Sequence, residues 1–178
     1  MRPAFAAVAA LLAGCGAAKA GTPAAAPAGV RETCSTRSMA DFPGAFTSGR
    51  NLVVGPLALM GGGAYTSPET VREFGGNKFP LLVKAGHRVT VELSARSAAL
   101  GYGPLPEGEV GVADGHRVVT FIACRRNGAS GSEADGAQVT FWSGFLLADR
   151  PQCVRLRVWV DGERAPRRAA VPLGRRCR

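Results

Sequence analysis

Glycine and proline punctuate this chain too densely for long helices. Its 178 residues include 24 Gly and 12 Pro, and between them β-branched and aromatic residues gather in short runs. Inside a helix, Gly costs about 1 kcal/mol and Pro about 3 kcal/mol relative to Ala. Short strands joined by turns place both residues where their backbone preferences help. The pattern predicts an all-β chain of about eight strands. With 46% hydrophobic and 20% charged residues, the chain can bury a core and is not disordered. Its length suits one domain once the N-terminal region is set aside.

The runs themselves carry the detail. Residues 51–60 (NLVVGPLALM) are mostly apolar, with Pro56 marking an edge or a bulge. Residues 79–84 (FPLLVK) form another run, and Ala85-Gly86 turns it into residues 87–94 (HRVTVELS). There Val89, Val91 and Leu93 alternate with Arg88, Thr90 and Glu92, and the two runs read as a hairpin. Residues 116–124 (HRVVTFIAC) are apolar on both faces, as in a central strand covered by two layers. Residues 139–147 (VTFWSGFLL) are similar, with Gly144 a bulge. Residues 153–160 (CVRLRVWV) alternate cleanly, and Asp161-Gly162 turns the chain toward residues 168–173. Residues 67–74 (SPETVREF) read as a helix with Ser67 as cap and Pro68 at the first position. The expected architecture is a single β-sandwich of immunoglobulin-like or jelly-roll type.

The N-terminus reads as an export signal. Arg2 precedes an uncharged apolar run over residues 4–13, too short for a bilayer core that needs about 20 residues. The run stops at Leu12-Ala13-Gly14-Cys15, which resembles the bacterial lipobox. The resemblance implies that residues 1–14 are removed as a signal peptide and that Cys15 becomes a lipidated first residue, attaching the chain to a membrane. A rival small-x-small site, Ala18-Lys19-Ala20, would release a soluble secreted protein beginning at Gly21. The lipobox is favoured because the apolar run ends directly at the cysteine. Cys15 and the Ala, Gly and Pro of residues 16–33 are read as a flexible tether, with the folded domain over residues 34–178.

Either cleavage leaves four cysteines, Cys34, Cys124, Cys153 and Cys177. In an oxidising compartment they imply two disulfides with three possible connectivities. No spacing is C-x-x-C, so neither a zinc knuckle nor a thioredoxin-like pair is supported. If the last four strands form a meander, Cys153 and Cys177 share one end of the sheet, since bridged Cα atoms come within about 7 Å. That order pairs Cys153 with Cys177 and Cys34 with Cys124; a Greek-key order leaves the pairing open.

Charge is distributed unevenly. Residues 117–178 hold 12 Lys/Arg against 5 Asp/Glu, whereas residues 16–116 hold 9 against 8. The basic C-terminal half favours an anionic partner such as a membrane face, an envelope polymer or another envelope protein; nucleic acid is not expected outside the cell. Arg155, Arg157 and Trp159 project from one face of a strand, and such a stripe can hold a sugar ring or a polyanion by stacking and charge-assisted hydrogen bonds. These three are the candidate ligand face. Arg125-Arg126, Arg167-Arg168 and Arg175-Arg176 could extend it.

The strings NLVVGPLALMGG, FPLLVKAGHRVTVEL, VVTFIAC, TFWSGFLLADRPQCVRLRVWVDG and PLGRRC together resemble a group of uncharacterised exported proteins of high-GC actinobacteria. The resemblance covers most of the chain after Asn51. It implies an extracytoplasmic β domain and brings no catalytic residue with it.

Catalytic and metal chemistry finds little support in the residues. His87 and His116 both lie in Gly-His-Arg-Val, and a two-histidine site would lack the further Cys or carboxylate ligands that complete a coordination shell. Ser143 follows Trp142, and Phe141 replaces the first glycine that a nucleophile elbow requires. Glu107 and Glu109 share a Pro/Gly-rich loop, where solvated surface is the ordinary reading of paired carboxylates. An enzyme acting on cell-wall material would have to gather Glu107, Glu109, Asp114 or His116 in one pocket. Gly61-Gly62-Gly63 lacks the Gly-Lys-Ser/Thr that would hold a phosphate. No catalytic residue, metal or cofactor is assigned.

Overall fold

The computed structural model of the chain describes residues 25–108, 110–126 and 131–178. The expected signal peptide, Cys15, the alternative cleavage site and Glu109 lie outside the described residues.

Thirteen strands are described, with one α-helix. In chain order they are β1 (Val30–Glu32), β2 (Leu52–Val54), β3 (Leu57–Leu59), β4 (Gly76–Lys78), β5 (Leu81–Lys84), β6 (Arg88–Leu93) and β7 (Ala98–Gly101). They continue as β8 (Val118–Ile122), β9 (Ser132–Ala134), β10 (Ala137–Trp142), β11 (Phe145–Ala148), β12 (Gln152–Val160) and β13 (Arg167–Leu173). The first sheet runs β1-β8-β6-β12-β13, the second β2-β3-β5-β10-β9, and a third β4-β11-β7. The chain is all-β and carries two disulfides.

Period-two alternation explains the layering. Val89, Val91 and Leu93 of β6, Val119 and Phe121 of β8, and Val154, Leu156, Val158 and Val160 of β12 turn inward from the first sheet. They meet Leu57, Leu59, Leu81 and Val83 from the second sheet and Leu100 and Leu146 from the third in one buried cluster. A second cluster forms on the other side of the second sheet, where Ala58, Leu82, Val139 and Phe141 are covered by Ala45, with Phe42 and Phe46 packed against them. β5 therefore reads as a continuous apolar run because it is covered on both faces.

The runs expected as single strands divide. Residues 51–60 become the hairpin β2–β3, turning at Gly55-Pro56. Residues 139–147 divide between β10 and β11, which lie in different sheets. The break falls at Gly144, where a Cβ would stand 2.2 Å from the Tyr102 ring. A side chain is excluded there because the buried tyrosine fills the space between layers. The hairpin expected across Ala85-Gly86 is not one: β5 pairs with β3 and β10, while β6 pairs with β8 and β12. Ala85-Gly86-His87 is a corner that carries the chain from the second sheet to the first. Residues 116–124 also depart from the expectation, since β8 buries Val119 and Phe121 and leaves Val118, Thr120 and Ile122 half-buried.

At the N-terminus, Val30–Glu32 falls within the stretch expected to be tether, residues 15–33, yet pairs in parallel with β8. Folded structure thus begins before Cys34. Glycine at 29 permits this, because a Cβ there would stand 2.2 Å from the Val118 carbonyl oxygen. The helix α1 (Pro68–Phe74) follows the expected signals: Ser67 Oγ accepts the Thr70 N–H at 3.1 Å, Pro68 opens the first turn, and Gly75 ends it in the left-handed region.

The disulfides are Cys34–Cys124 and Cys153–Cys177, with Cα separations of 4.8 and 5.1 Å. The last four expected strands do not form a meander, since β8 lies between β1 and β6 and β10 belongs to the second sheet; β12 and β13 alone are antiparallel neighbours, and that pair brings Cys153 and Cys177 to one end. Cys124 follows β8 and receives Cys34 because β1 runs parallel beside β8. These bonds suit an extracytoplasmic or oxidising environment. Among the described residues no helix is long and apolar enough to cross a membrane.

Candidate functional site

β12 positions the expected ligand face. Its inward residues anchor it in the core, so Arg155, Arg157 and Trp159 emerge on the outer side of the first sheet. Cross-strand register surrounds them. Trp159 lies opposite Thr90 and Arg157 opposite Glu92 on β6; on β13, Arg157 faces Arg168 and Arg155 faces Ala170. Thr90 continues to Thr120 of β8, and Thr120 to Arg31 of β1.

Glu92 organises this surface. One carboxylate oxygen pairs with the Arg157 guanidinium, and the other accepts the Trp159 indole N–H at 3.2 Å. The side chain of Glu92 is only 14% exposed while that of Arg157 is 47% exposed. The carboxylate is thus set down in the sheet and holds the tryptophan and the arginine in place from beneath. No period within β12 could reveal this; the signal was Glu92 on the outward phase of β6, legible only with the register.

The expected three-residue stripe is divided between two grooves. Trp159 helps line one of about 420 Å³ with Arg31, Arg88, Thr90, Thr120 and Asp161, and Ala26–Gly29 form part of its wall. The Thr90 and Thr120 hydroxyls meet at 2.8 Å on its floor. Arg155 and Arg157 line the other, of about 620 Å³, with Ser94, Arg168 and Arg178. Arg31, Arg88, Arg155, Arg157 and Arg168 are all exposed. Among the described residues only Arg157 of these five is held in an ion pair. Carboxylates at the rim are engaged: Asp161 lies 3.2 Å from His87 Nδ1, and Glu163 pairs with Arg167. That pairing holds the Arg167 guanidinium above its ordinary pKa, through its hydrogen bond to Glu163 first and the attraction of the carboxylate second.

An acidic patch lies on the second sheet, and Lys84 stands over the Phe46 ring on the same sheet. Asp41, Glu133 and Asp135 share a shallow depression beside the edge strand β9. Asp135 receives the backbone N–H groups of Gly44 and Phe46.

Other sequence candidates separate. His87 faces Asp161, whereas His116 bridges to Leu100 through its backbone and keeps Nε2 buried with no partner among the described residues. Asp114 accepts the Gly111 N–H in an exposed turn. Glu107 and Ser143 are exposed. Among the described residues no three His, Cys, Asp or Glu side chains gather to hold a metal. In the triple-glycine turn, the Gly61 N–H bonds the Asn51 side chain and the Gly63 N–H the Arg50 carbonyl. These donors already have partners. The arginine pairs disperse: Arg168 joins the basic face, Arg126 lies over Gly86, and Arg176 lies 5.4 Å from the centre of the Tyr65 ring.

No family model, curated protein or solved structure matches the chain.

Proposed function

We propose that this chain is a lipid-anchored, non-catalytic binding domain of the bacterial cell envelope whose basic face meets an anionic envelope component. The observation that carries the reading is the outer side of the first sheet. Five exposed arginines line it against one strand carboxylate, Glu92, whose two oxygens are taken by Arg157 and Trp159. A surface with that surplus attracts anions, and grooves between its side chains concentrate the field. Anchoring through Cys15 is supported by the Leu12-Ala13-Gly14-Cys15 string after an apolar run, and export by the two disulfides and by the resemblance to exported actinobacterial proteins. The residues that hydrolysis would need, Glu107, Asp114 and His116, line none of the grooves of the basic face.

Two measurements test the reading. Intact mass of membrane-extracted protein from a bacterial host is expected to give a chain starting at Cys15 with a diacylglycerol adduct, lost in Cys15→Ser; an unmodified chain starting at Gly21 would make the protein a freely secreted one. Binding to dextran sulfate at low salt, with none to uncharged dextran and a clear loss in Arg155→Ala/Arg168→Ala, is expected for the face. Equal retention of the variant would refute the assignment.

A further inference from the structure

We infer that the outer side of the first sheet is the membrane-facing side, and that its anionic partner is the headgroup layer of the bilayer to which the chain is anchored. The inference rests on the basic-face reading and narrows it to one partner.

Three observations favour anionic phospholipid over a soluble or wall-bound polymer. The first is where the chain leaves the domain: exposed Ala26, Ala28 and Gly29 border the Trp159 groove on this side. Ten residues, 16–25, separate Cys15 from Ala26, and even fully extended they reach no more than about 36 Å. A domain of this size is about 40 Å across, so a connection rising from this side allows the same side to lie against the bilayer. From the far side the reach would be used in passing the domain itself. The second is charge polarity. Arg31, Arg88, Arg155 and Arg168 lie on the near side and Asp41, Glu133 and Asp135 beside β9 on the second sheet. A negative surface would turn the domain into that orientation. The third is Trp159, half-buried with its N–H tied to Glu92 and lining the groove that Arg31, Arg88 and Asp161 also line. An amphipathic ring in a groove edged by arginines suits the headgroup level of a membrane.

Weak contacts suffice in this arrangement. Anchoring holds the face near the headgroups at an effective concentration on the order of millimolar. Each arginine close to an anionic surface strengthens partition by about fivefold, and screening removes the gain as salt rises.

The test uses the disulfide-bonded chain beginning at residue 15 with Cys15→Ser, sedimented with vesicles of equal phosphatidylglycerol and phosphatidylcholine at low salt. Salt-sensitive binding is expected, with none to phosphatidylcholine alone. Arg155→Ala/Arg168→Ala is expected to weaken it about 25-fold. Arg50→Ala/Lys78→Ala removes the same charge outside the first sheet and should change binding less than twofold. Acrylamide quenching, which reads partly exposed Trp159 rather than buried Trp142, should fall on the bound protein. Equal loss in both double variants would overturn the inference, since net charge alone would then explain binding. Failure on the vesicles with dextran sulfate binding retained would overturn the bilayer assignment and leave the basic-face reading standing. Failure on both would remove both.

Discussion

Tyr102 offers a test of the packing between layers whose size depends on pH. Its side chain is 1% exposed, its ring meets Phe121 edge-on at 5.2 Å between centroids, and its hydroxyl donates to the Phe79 carbonyl. Burial pushes its pKa far above the ordinary value of 10.0. Tyr102→Phe keeps the ring and leaves the Phe79 carbonyl without that donor, which is expected to cost about 2 kcal/mol at pH 7. The linkage then runs in the opposite direction. The folded-state pKa is raised, so the stabilisation of the neutral phenol is fully present below pH 10 and is lost as pH rises toward the folded value. Above pH 10 the unfolded tyrosine releases its proton and the folded one does not. By pH 11 wild type loses about 1.4 kcal/mol from this group, and the variant, having no phenol, loses nothing. The deficit of Tyr102→Phe should therefore shrink from about 2 to about 0.6 kcal/mol between pH 7 and pH 11. Parallel urea titrations measure it, and other titrating groups cancel in the difference. A deficit that stayed constant would mean that the hydroxyl ionises freely in the folded protein, refuting its sealed position.

Gly144→Ala should cost about 3 kcal/mol, because the new methyl would overlap the Tyr102 ring. In a Tyr102→Ala background most of that cost should vanish, and additive losses in the urea midpoints would count against the contact. Replacing both partners of Cys34–Cys124 with Ala should destabilise by about 4.5 kcal/mol, and of Cys153–Cys177 by about 3.5, since the loops close over separations of 90 and 24 residues. Denaturation midpoints in the reverse order would refute the loop-length account.

What the sequence conveyed and what it withheld follow from the range of the forces involved. The alternation of residues 153–160 survives as β12 because one-sided burial imposes a local period. The Ser67, Pro68 and Gly75 signals survive because a helix end is satisfied by its own neighbours. Ala85-Gly86 is a corner and not a hairpin because both use the same turn residues, and Gly144 marks the end of a strand and not a bulge because both use a glycine; only distant partners distinguish them. The disulfide pairing was reached through an assumed meander, which holds for β12 and β13. Cys124 finds Cys34 through the parallel β1–β8 pair, invisible in a stretch of Ala, Gly and Pro ending in Val30. At the candidate site, the outward phase of Arg155, Arg157 and Trp159 was legible. Their division between two grooves by way of Glu92 required the register with β6.

The two disulfides also decide how far this protein can be drawn out under tension. Residues 34–124 and 153–177 are each closed into covalent loops, so a pull between the chain ends passes through sulfur and leaves their contour unextended. Within the folded part, the main length that can be released lies between Cys124 and Cys153, 29 residues apart, or about 100 Å when straightened. An oxidised molecule stretched from its N-terminal end would yield by that short increment and then stop, whereas a reduced one would unravel across the whole sandwich.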